Sequence, residues 1–407
     1  MYLPDRILVA PSGFKESLDA VEVAEAISAG VRRALPGVHV ATLPVPDGGE
    51  GTVSILAATT GGTLHETVVT GPVGRPVTAR WVILGGGGPR TAVVEMAAAA
   101  GLSLVPHDLR DPGATTTRGV GELIAAALDA GAERVVVGCG DSGTCDGGAG
   151  ALSALGARIH GDDDEVLPDG GRHLHRVARV DLSGLHPRLA EVPVELACNP
   201  TNVLCGERGV ARVFGPQKGA TPEQVAVLER GLERWAGVLQ RDGAVGGPGA
   251  PGGFDLRAGV GSGASGGLGA GLVGGLGAVP RSRFDALLTP DLLGADLDAE
   301  ITAADLVITA EGAIDFQTPR GKVPAEVARR AGLAGVPVMA IAGSLGRGAP
   351  DVHDIGIGAV TSIMAVPMPL ADAVAQGRRL LVEATERSMR MLLLGAAVSR
   401  RAGDRAA

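Results

Sequence analysis

Lysine is nearly absent from this chain of 407 residues: three, Lys15, Lys218 and Lys322, stand among 36 cationic residues. With arginine supplying almost all positive charge, those three places point to work for a compact ammonium on a flexible stem. Phosphate binding is the common form of such work. Aromatics are scarce as well, two Trp, one Tyr and five Phe, which leaves no stacking platforms for single-stranded nucleic acid. A net charge of −9 argues further against nucleic acid, whose binding needs a basic surface. A small charged ligand in a local basic pocket stays open. The four cysteines, Cys139, Cys145, Cys198 and Cys205, contain no CxxC pair and read as reduced, partly buried thiols, not as a zinc site. Gly, Pro or a charge interrupts every apolar run before it reaches membrane-spanning length. The N-terminal run is too short for a signal peptide and is cut by Pro11. The expectation is a cytoplasmic protein with neither a membrane nor a nucleic-acid partner.

What is present is a chain with 45% apolar and 20% charged residues, long enough for two cores. Both ends carry the alternation of a parallel α/β sheet. Strands are predicted at Arg6 to Ala10, Val38 to Leu43, Ala304 to Thr309, Val336 to Ala342 and Ile357 to Ile363, and helices at Ala20 to Ala34, Lys322 to Ala331 and Ala371 to Leu394. Asp19 with Glu22 reads as a capping box. The two ends would complete one open sheet, giving a discontinuous domain of residues 1–62 and 299–407, with residues 63–298 between them. In that middle part Gly85 to Gly88 reads as a hairpin tip, Asp162 to Glu165 as a solvated loop without EF-hand spacing, and part of Gly243 to Gly277 as a tightly packed helix.

Five stretches carry candidate chemistry. Lys15 follows the first strand, where an open α/β sheet places its ligand crevice and helix amides favour an anion; a plain surface lysine before a capped helix is the alternative. The run Asp47-Gly48-Gly49-Glu50 follows the second strand. Its carboxylates suit Mg²⁺ or proton acceptance from a hydroxyl, or simply a turn before a helix. The run from Gly138 to Gly148 offers Gly140, Gly143 and Gly147 for close approach of backbone amides to a polyphosphate, with Ser142 and Thr144 as donors and Asp146 as an acid. It is neither a Walker A nor a Rossmann sequence. Lys218 lies in VFGPQKGA, and Glu311 and Asp315 lie in EGAIDFQT ahead of Lys322. Acid, amide and ammonium groups at strand ends are the ingredients of phosphoryl transfer.

These stretches, together with TTTRGVGELI, CNPTNVLCG and SGGLGAGL, resemble the type 1 glycerate kinases over nearly the whole chain. The resemblance implies an α/β fold: a flavodoxin-like parallel-sheet domain formed from both termini, with a second α/β domain inserted between. It implies ATP-dependent phosphorylation of D-glycerate with Mg²⁺, bacterial members often yielding 2-phosphoglycerate, on a small-molecule substrate. The expected roles are catalytic for Lys15, Asp47, Lys218, Asp315 and Lys322, nucleotide-binding for Gly140, Ser142, Gly143, Thr144 and Gly147, and metal-binding for Glu50, Asp146 and Glu311. A homodimer is left open. The chain departs from the family pattern at Ser12 and Gly13 (Asp and Ser), Asp141 (Gly), Gly143 (Ala), Cys145 (Asn), Asn199 (Asp) and Ala313 (Arg). Two alternatives follow: a kinase for a related hydroxy acid, or a catalytically weak homologue that binds nucleotide or metabolite.

Overall fold

A computed structural model of the chain describes residues 3–243 and 253–406. Two compact units form: one runs through Asp47 and resumes at Ala295, and the other is Gly48–Gly294. In the first unit five parallel strands form one sheet, in the spatial order Ile357–Ser362, Val338–Leu345, Leu306–Ile314, Arg6–Val9, His39–Thr42. Numbered by sequence within the unit this is 2-1-3-4-5, the flavodoxin order, whose direction of winding reverses between strands 1 and 3. Those two strands are apolar and buried along nearly their whole shared length, as a sheet covered on both faces requires.

Ala20–Ala34 starts at the predicted capping box, with Asp19 accepting from Glu22 N at 2.8 Å and Glu22 accepting from Asp19 N at 3.0 Å. It packs against the long helix Gly377–Ala406. Gly30 sits at their crossing, where a Cβ would lie 2.5 Å from Val382 O, so glycine sets how closely the two backbones approach. The predicted helix from Ala371 is two elements: Leu370–Ala375 ends before Gly377, where the long helix begins.

The second unit is built on a six-stranded mixed sheet in the order Val279–Ser282, Val194–Cys198, Arg134–Gly138, Thr91–Glu95, Pro76–Ile83, Thr63–Thr70. The first four strands are parallel and the last two antiparallel, with Gly85 to Gly88 in the turn before Thr91. A separate hairpin pairs Arg158–Gly161 with Val177–Asp181. The acidic loop beside it is ion-paired, not merely solvated: Asp164 meets Arg179, Glu165 meets Arg176 and Asp162 meets Arg234. Of the glycine-rich stretch, residues 244–252 lie outside the described residues, and Ala264–Leu276 is buried as expected, its helix interrupted near the start by Ser265, Gly266 and Gly267 in left-handed conformation.

The unit boundary at Asp47 corrects the expected one at residue 62. Helix Thr52–Thr60 begins at Gly51, which has no side chain to cap it. Glu95, 5% exposed at the end of a strand of the second unit, receives Val53 N and Gly51 N instead. A buried carboxylate against the positive end of a helix ties that helix to this unit. The second boundary falls at Gly294, not residue 298, because Gly294 closes Pro290–Leu293 and lies against Thr59.

Candidate functional site

The first unit gathers charge at the carboxyl ends of its strands. After Val9 the chain continues beside Leu306–Ile314, with Ala10 N on Ile308 O at 2.8 Å and Ser12 N on Ala310 O at 2.9 Å. Ser12 Oγ also donates to Ala310 O at 3.0 Å, so the hydroxyl standing where the family has aspartate secures the backbone. A tight turn follows: Phe14 N donates to Leu18 O at 2.8 Å, Glu16 takes a left-handed φ of 64°, and Lys15 is exposed at its tip.

At the end of Leu306–Ile314, Lys322 Nζ lies 3.1 Å from Glu311 Oε1 and 3.8 Å from Asp315 Oδ1. Thr318 Oγ1 donates to Glu311 Oε2 at 3.2 Å and accepts from Asp315 N at 3.2 Å, and Asp315 Oδ1 accepts from Gln317 N at 2.8 Å. Lys322 is also the N-cap residue of helix Val323–Ala334. Burial pushes the Glu311 carboxyl above its ordinary range; Lys322 and Thr318 pull it back, and the neighbouring Asp47 charge adds to the rise. Asp47, Glu311, Asp315 and Lys322 therefore form one acid–amine cluster. Thr318, buried and joining two of its acids, was not singled out from the sequence; a threonine three residues after Asp315 was the available signal. Ala313 is exposed on the same strand, leaving that strand face without the family's guanidinium.

The glycine loop of the second unit is different in kind. Lys218 is 2% exposed and donates to Ser142 Oγ at 2.7 Å and Thr144 O at 2.8 Å. Burial lowers its pKa, opposed by Cys145 and Asp146. Asp146 is fully buried and accepts from Thr117 N and Thr117 Oγ1, each at 2.8 Å, from Gly148 N at 3.1 Å and from Gly150 N at 3.3 Å. Burial still raises its pKa. A carboxylate so enclosed, expected as a magnesium ligand, ties its own glycine-rich stretch to the segment of Thr117, one of three successive threonines before a helix and a partner not singled out from the sequence.

Gly143, Thr144 and Gly147, expected to meet a nucleotide, are buried too and closely packed. A Cβ on Gly143 would lie 2.9 Å from Val105 Cγ2, and one on Gly147 2.6 Å from Trp235 Cδ1. Gly147 O also accepts from Trp235 Nε1 at 2.8 Å. The Cys145 departure is likewise internal, at 0% exposure. What remains accessible is Gly140, Asp141 and Ser142, with Glu50 exposed close by, its amide donating to Asp141 Oδ2 at 3.3 Å. Asn199 closes a local turn, its Oδ1 accepting from Thr201 N at 3.1 Å and Thr201 Oγ1 at 2.9 Å.

Among the described residues no three His, Cys, Asp or Glu side chains are arranged to hold a metal by themselves, and no helix is long and apolar enough to cross a membrane.

The family model "Glycerate kinase family" matches residues 7–393. A glycerate kinase of Bacillus subtilis (strain 168) is 47% identical over 90% of this chain and 92% of its own, and a glycerate 2-kinase of Escherichia coli (strain K12) is 43% identical over 88% and 90%. The crystal structure of a Salmonella typhimurium LT2 protein, described as a glycerate kinase 2, superposes with a TM-score of 0.79 at 42% identity, covering 96% of this chain and 99% of that one. With its flavodoxin-order sheet, its acid–amine cluster and a match along almost its entire length, the chain belongs to the glycerate kinase family.

Proposed function

We propose that the protein transfers a phosphoryl group from ATP to D-glycerate. The observation that carries this reading is the cluster of Lys322, Glu311, Asp315 and Asp47 at the carboxyl end of the flavodoxin-order sheet, where such sheets receive ligands. The donor set fits Mg²⁺, a hard ion that takes a few carboxylate oxygens and keeps several waters. It fits for a second reason: burial and the Asp47 charge both oppose ionisation of Glu311, and added positive charge relieves both. ATP with its magnesium supplies the phosphoryl group and neutralises charge on it.

The chain's own residues bind and orient. Lys15 and Lys322 hold phosphate oxygens or the glycerate carboxylate as point charges. Asp47, Glu311 and Asp315 provide magnesium ligands and the acceptor for the hydroxyl proton, and Thr318 fixes the Glu311 carboxylate by its hydrogen bond. In the second unit Gly140 and Ser142 are proposed to meet the nucleotide and Glu50 to add an acid. Lys218, buried, orients the Ser142 hydroxyl from behind. Positioning and electrostatics supply most of the rate in such transfers, so no single general base is required.

Lys15→Ala and Lys322→Ala should each lower turnover with ATP and D-glycerate about 100-fold, read as ADP release, with circular dichroism unchanged. Parent-level turnover in both overturns the reading. The product is proposed to be 2-phosphoglycerate, on the strength of the Escherichia coli relative named a glycerate 2-kinase; phosphorus NMR showing phosphate on the terminal hydroxyl would exclude it. Exposed Ala313 in place of arginine favours one second reading, a related hydroxy acid as acceptor. A panel of hydroxy acids in the same assay decides between them. Cytoplasmic location, where ATP is supplied, belongs to the same proposal.

A further inference from the structure

A cavity of about 780 Å³ opens in the second unit between helix Pro222–Asp242 and the segments carrying Cys205, Arg212 and Arg257. None of its lining residues belongs to either candidate cluster described above. The volume is that of a metabolite site. Its lining is unusual for a protein of net charge −9: five arginines, Arg212, Arg230, Arg234, Arg241 and Arg257, against two acids, Glu229 and Glu233, over an apolar floor that includes Leu204 and Val238.

The guanidinium groups are held in place. Arg212 meets Glu229 and Arg257 meets Glu233, each through Nε. Arg234 donates to Val177 O and Asp162, and Arg241 to Ala178 O at 2.6 Å and to Asp242. Each of these bonds uses part of a five-donor fork, and the remaining N–H groups are left to a ligand whose binding costs little side-chain entropy. Arg230 is exposed and makes no side-chain hydrogen bond or ion pair among the described residues. Spacing makes the site: residues 230, 234, 237, 238 and 241 lie on one face of the helix, and 237 is glycine. A Cβ there would lie 3.2 Å from an Arg257 terminal nitrogen. Glycine in mid-helix is unfavourable relative to alanine, and here its bare backbone makes room for a guanidinium to cross the helix. The cavity wall itself thus carries five guanidinium groups against two carboxylates, with Asp162 and Asp242 pairing Arg234 and Arg241 from behind and Glu207 and Asp255 near Arg212 and Arg257.

We propose that this cavity is a binding site for a small multivalent anion, bearing phosphate or carboxylate groups on a short carbon or phosphate backbone, separate from the kinase reaction. The proposal goes beyond the functional reading above and does not rest on it.

The test is isothermal titration of the full chain carrying Lys322→Ala, which weakens anion binding at the proposed reaction cluster, with pyrophosphate and with citrate as probes. Saturable one-to-one binding of either probe is expected to persist in that background. It should weaken at least about tenfold, roughly 1.4 kcal/mol, when Arg230→Ala and Arg257→Ala are added. Gly237→Leu should also weaken it by filling the cavity without changing charge, while the same substitution in the chain with Lys322 intact leaves turnover without probe at the parent level. Pyrophosphate alone binding marks a phosphoanion ligand, citrate alone a polycarboxylate. Absence of saturable binding of both probes up to about 10 mM overturns the proposal. So does binding that Gly237→Leu and the double arginine variant leave unchanged, or binding that Lys322→Ala alone abolishes.

Discussion

The acid–amine cluster of the first unit and the glycine loop of the second draw on the same residue types, Asp, Lys, Ser or Thr beside Gly, and use them in opposite ways. In the cluster, Lys322 and Asp315 are each about a quarter exposed, and the acids outnumber the amine they surround. In the loop, Lys218 and Asp146 lie inside, with short hydrogen bonds to neighbouring segments. Exposed unbalanced charge is ready for a ligand, whereas buried and satisfied charge holds a shape. Glycine follows the same division: Gly143, Gly147 and Gly266 are there because a Cβ has no room.

The sharpest way to break that contrast is at Gly266. Its φ is +70°, and a Cβ would lie 1.9 Å from Thr144 O. Gly266→Ala should destabilise the second unit by more than about 4 kcal/mol, through strain and overpacking together. Both tryptophans, Trp81 and Trp235, are buried in this unit, so urea unfolding followed by tryptophan fluorescence reads it selectively. A midpoint equal to the parent's would show that the loop yields easily and is no scaffold.

Next in size is the exchange between two lysines. Lys218→Met leaves Ser142 Oγ and Thr144 O without their donor, and should cost about 1–3 kcal/mol in the same fluorescence experiment. Lys322→Met should leave that fluorescence midpoint in place while turnover falls. If Lys322→Met moves the tryptophan midpoint and Lys218→Met does not, the assignment of a structural role to Lys218 and a chemical one to Lys322 is reversed.

That pair also shows how far the sequence could be read. The parallel strands and the capping box of the first unit were legible because they rest on local patterns: apolar runs of four to nine residues, and Asp19 with Glu22. Lys322, Glu311 and Asp315 were legible because they sit within twelve positions of one another after a strand. The burial of Lys218 was not legible, because what encloses it comes from Ser142 and Thr144, some 75 positions away. The burial of Asp146 was hidden in the same way, its partner Thr117 lying 29 positions upstream. The boundary at Asp47 depended on Glu95 reaching a helix more than 40 positions earlier. Local rules describe elements, but burial of a polar group is settled by distant contacts.

A smaller effect probes the charge balance of the cluster. The Glu311 carboxyl is raised above its ordinary 4.5 mainly by burial. The folded state therefore holds this proton more tightly than the unfolded one. Its contribution to stability is fully present below pH 4.5 and is lost as pH rises through the elevated folded value. Glu311→Gln removes the dependence, so the stability of the parent relative to the variant should decline as pH rises from about 4 toward neutrality. Calorimetry across that range measures it. A difference that grows with pH would mean that Lys322 outweighs burial and that the cluster is already balanced without a cation.

The least effect is expected at the cysteines, which sharpen the second half of the comparison. Burial pushes the Cys198 thiol up to about 11, and burial with the nearby Glu233 pushes Cys205 up to about 12. At pH 8 only about one Cys198 in a thousand and one Cys205 in ten thousand is then thiolate, the form that reacts. Iodoacetamide should leave the folded protein's mass unchanged over a time in which the urea-unfolded chain gains four adducts, one for each cysteine. Cys205 gives the stricter trial, because it is only partly buried and lines the arginine cavity, where steric protection is weakest. Rapid labelling there would mean that the surrounding guanidinium groups stabilise the thiolate more than Glu233 and burial oppose it. The field in that cavity would then be more strongly positive than its paired arginines suggest.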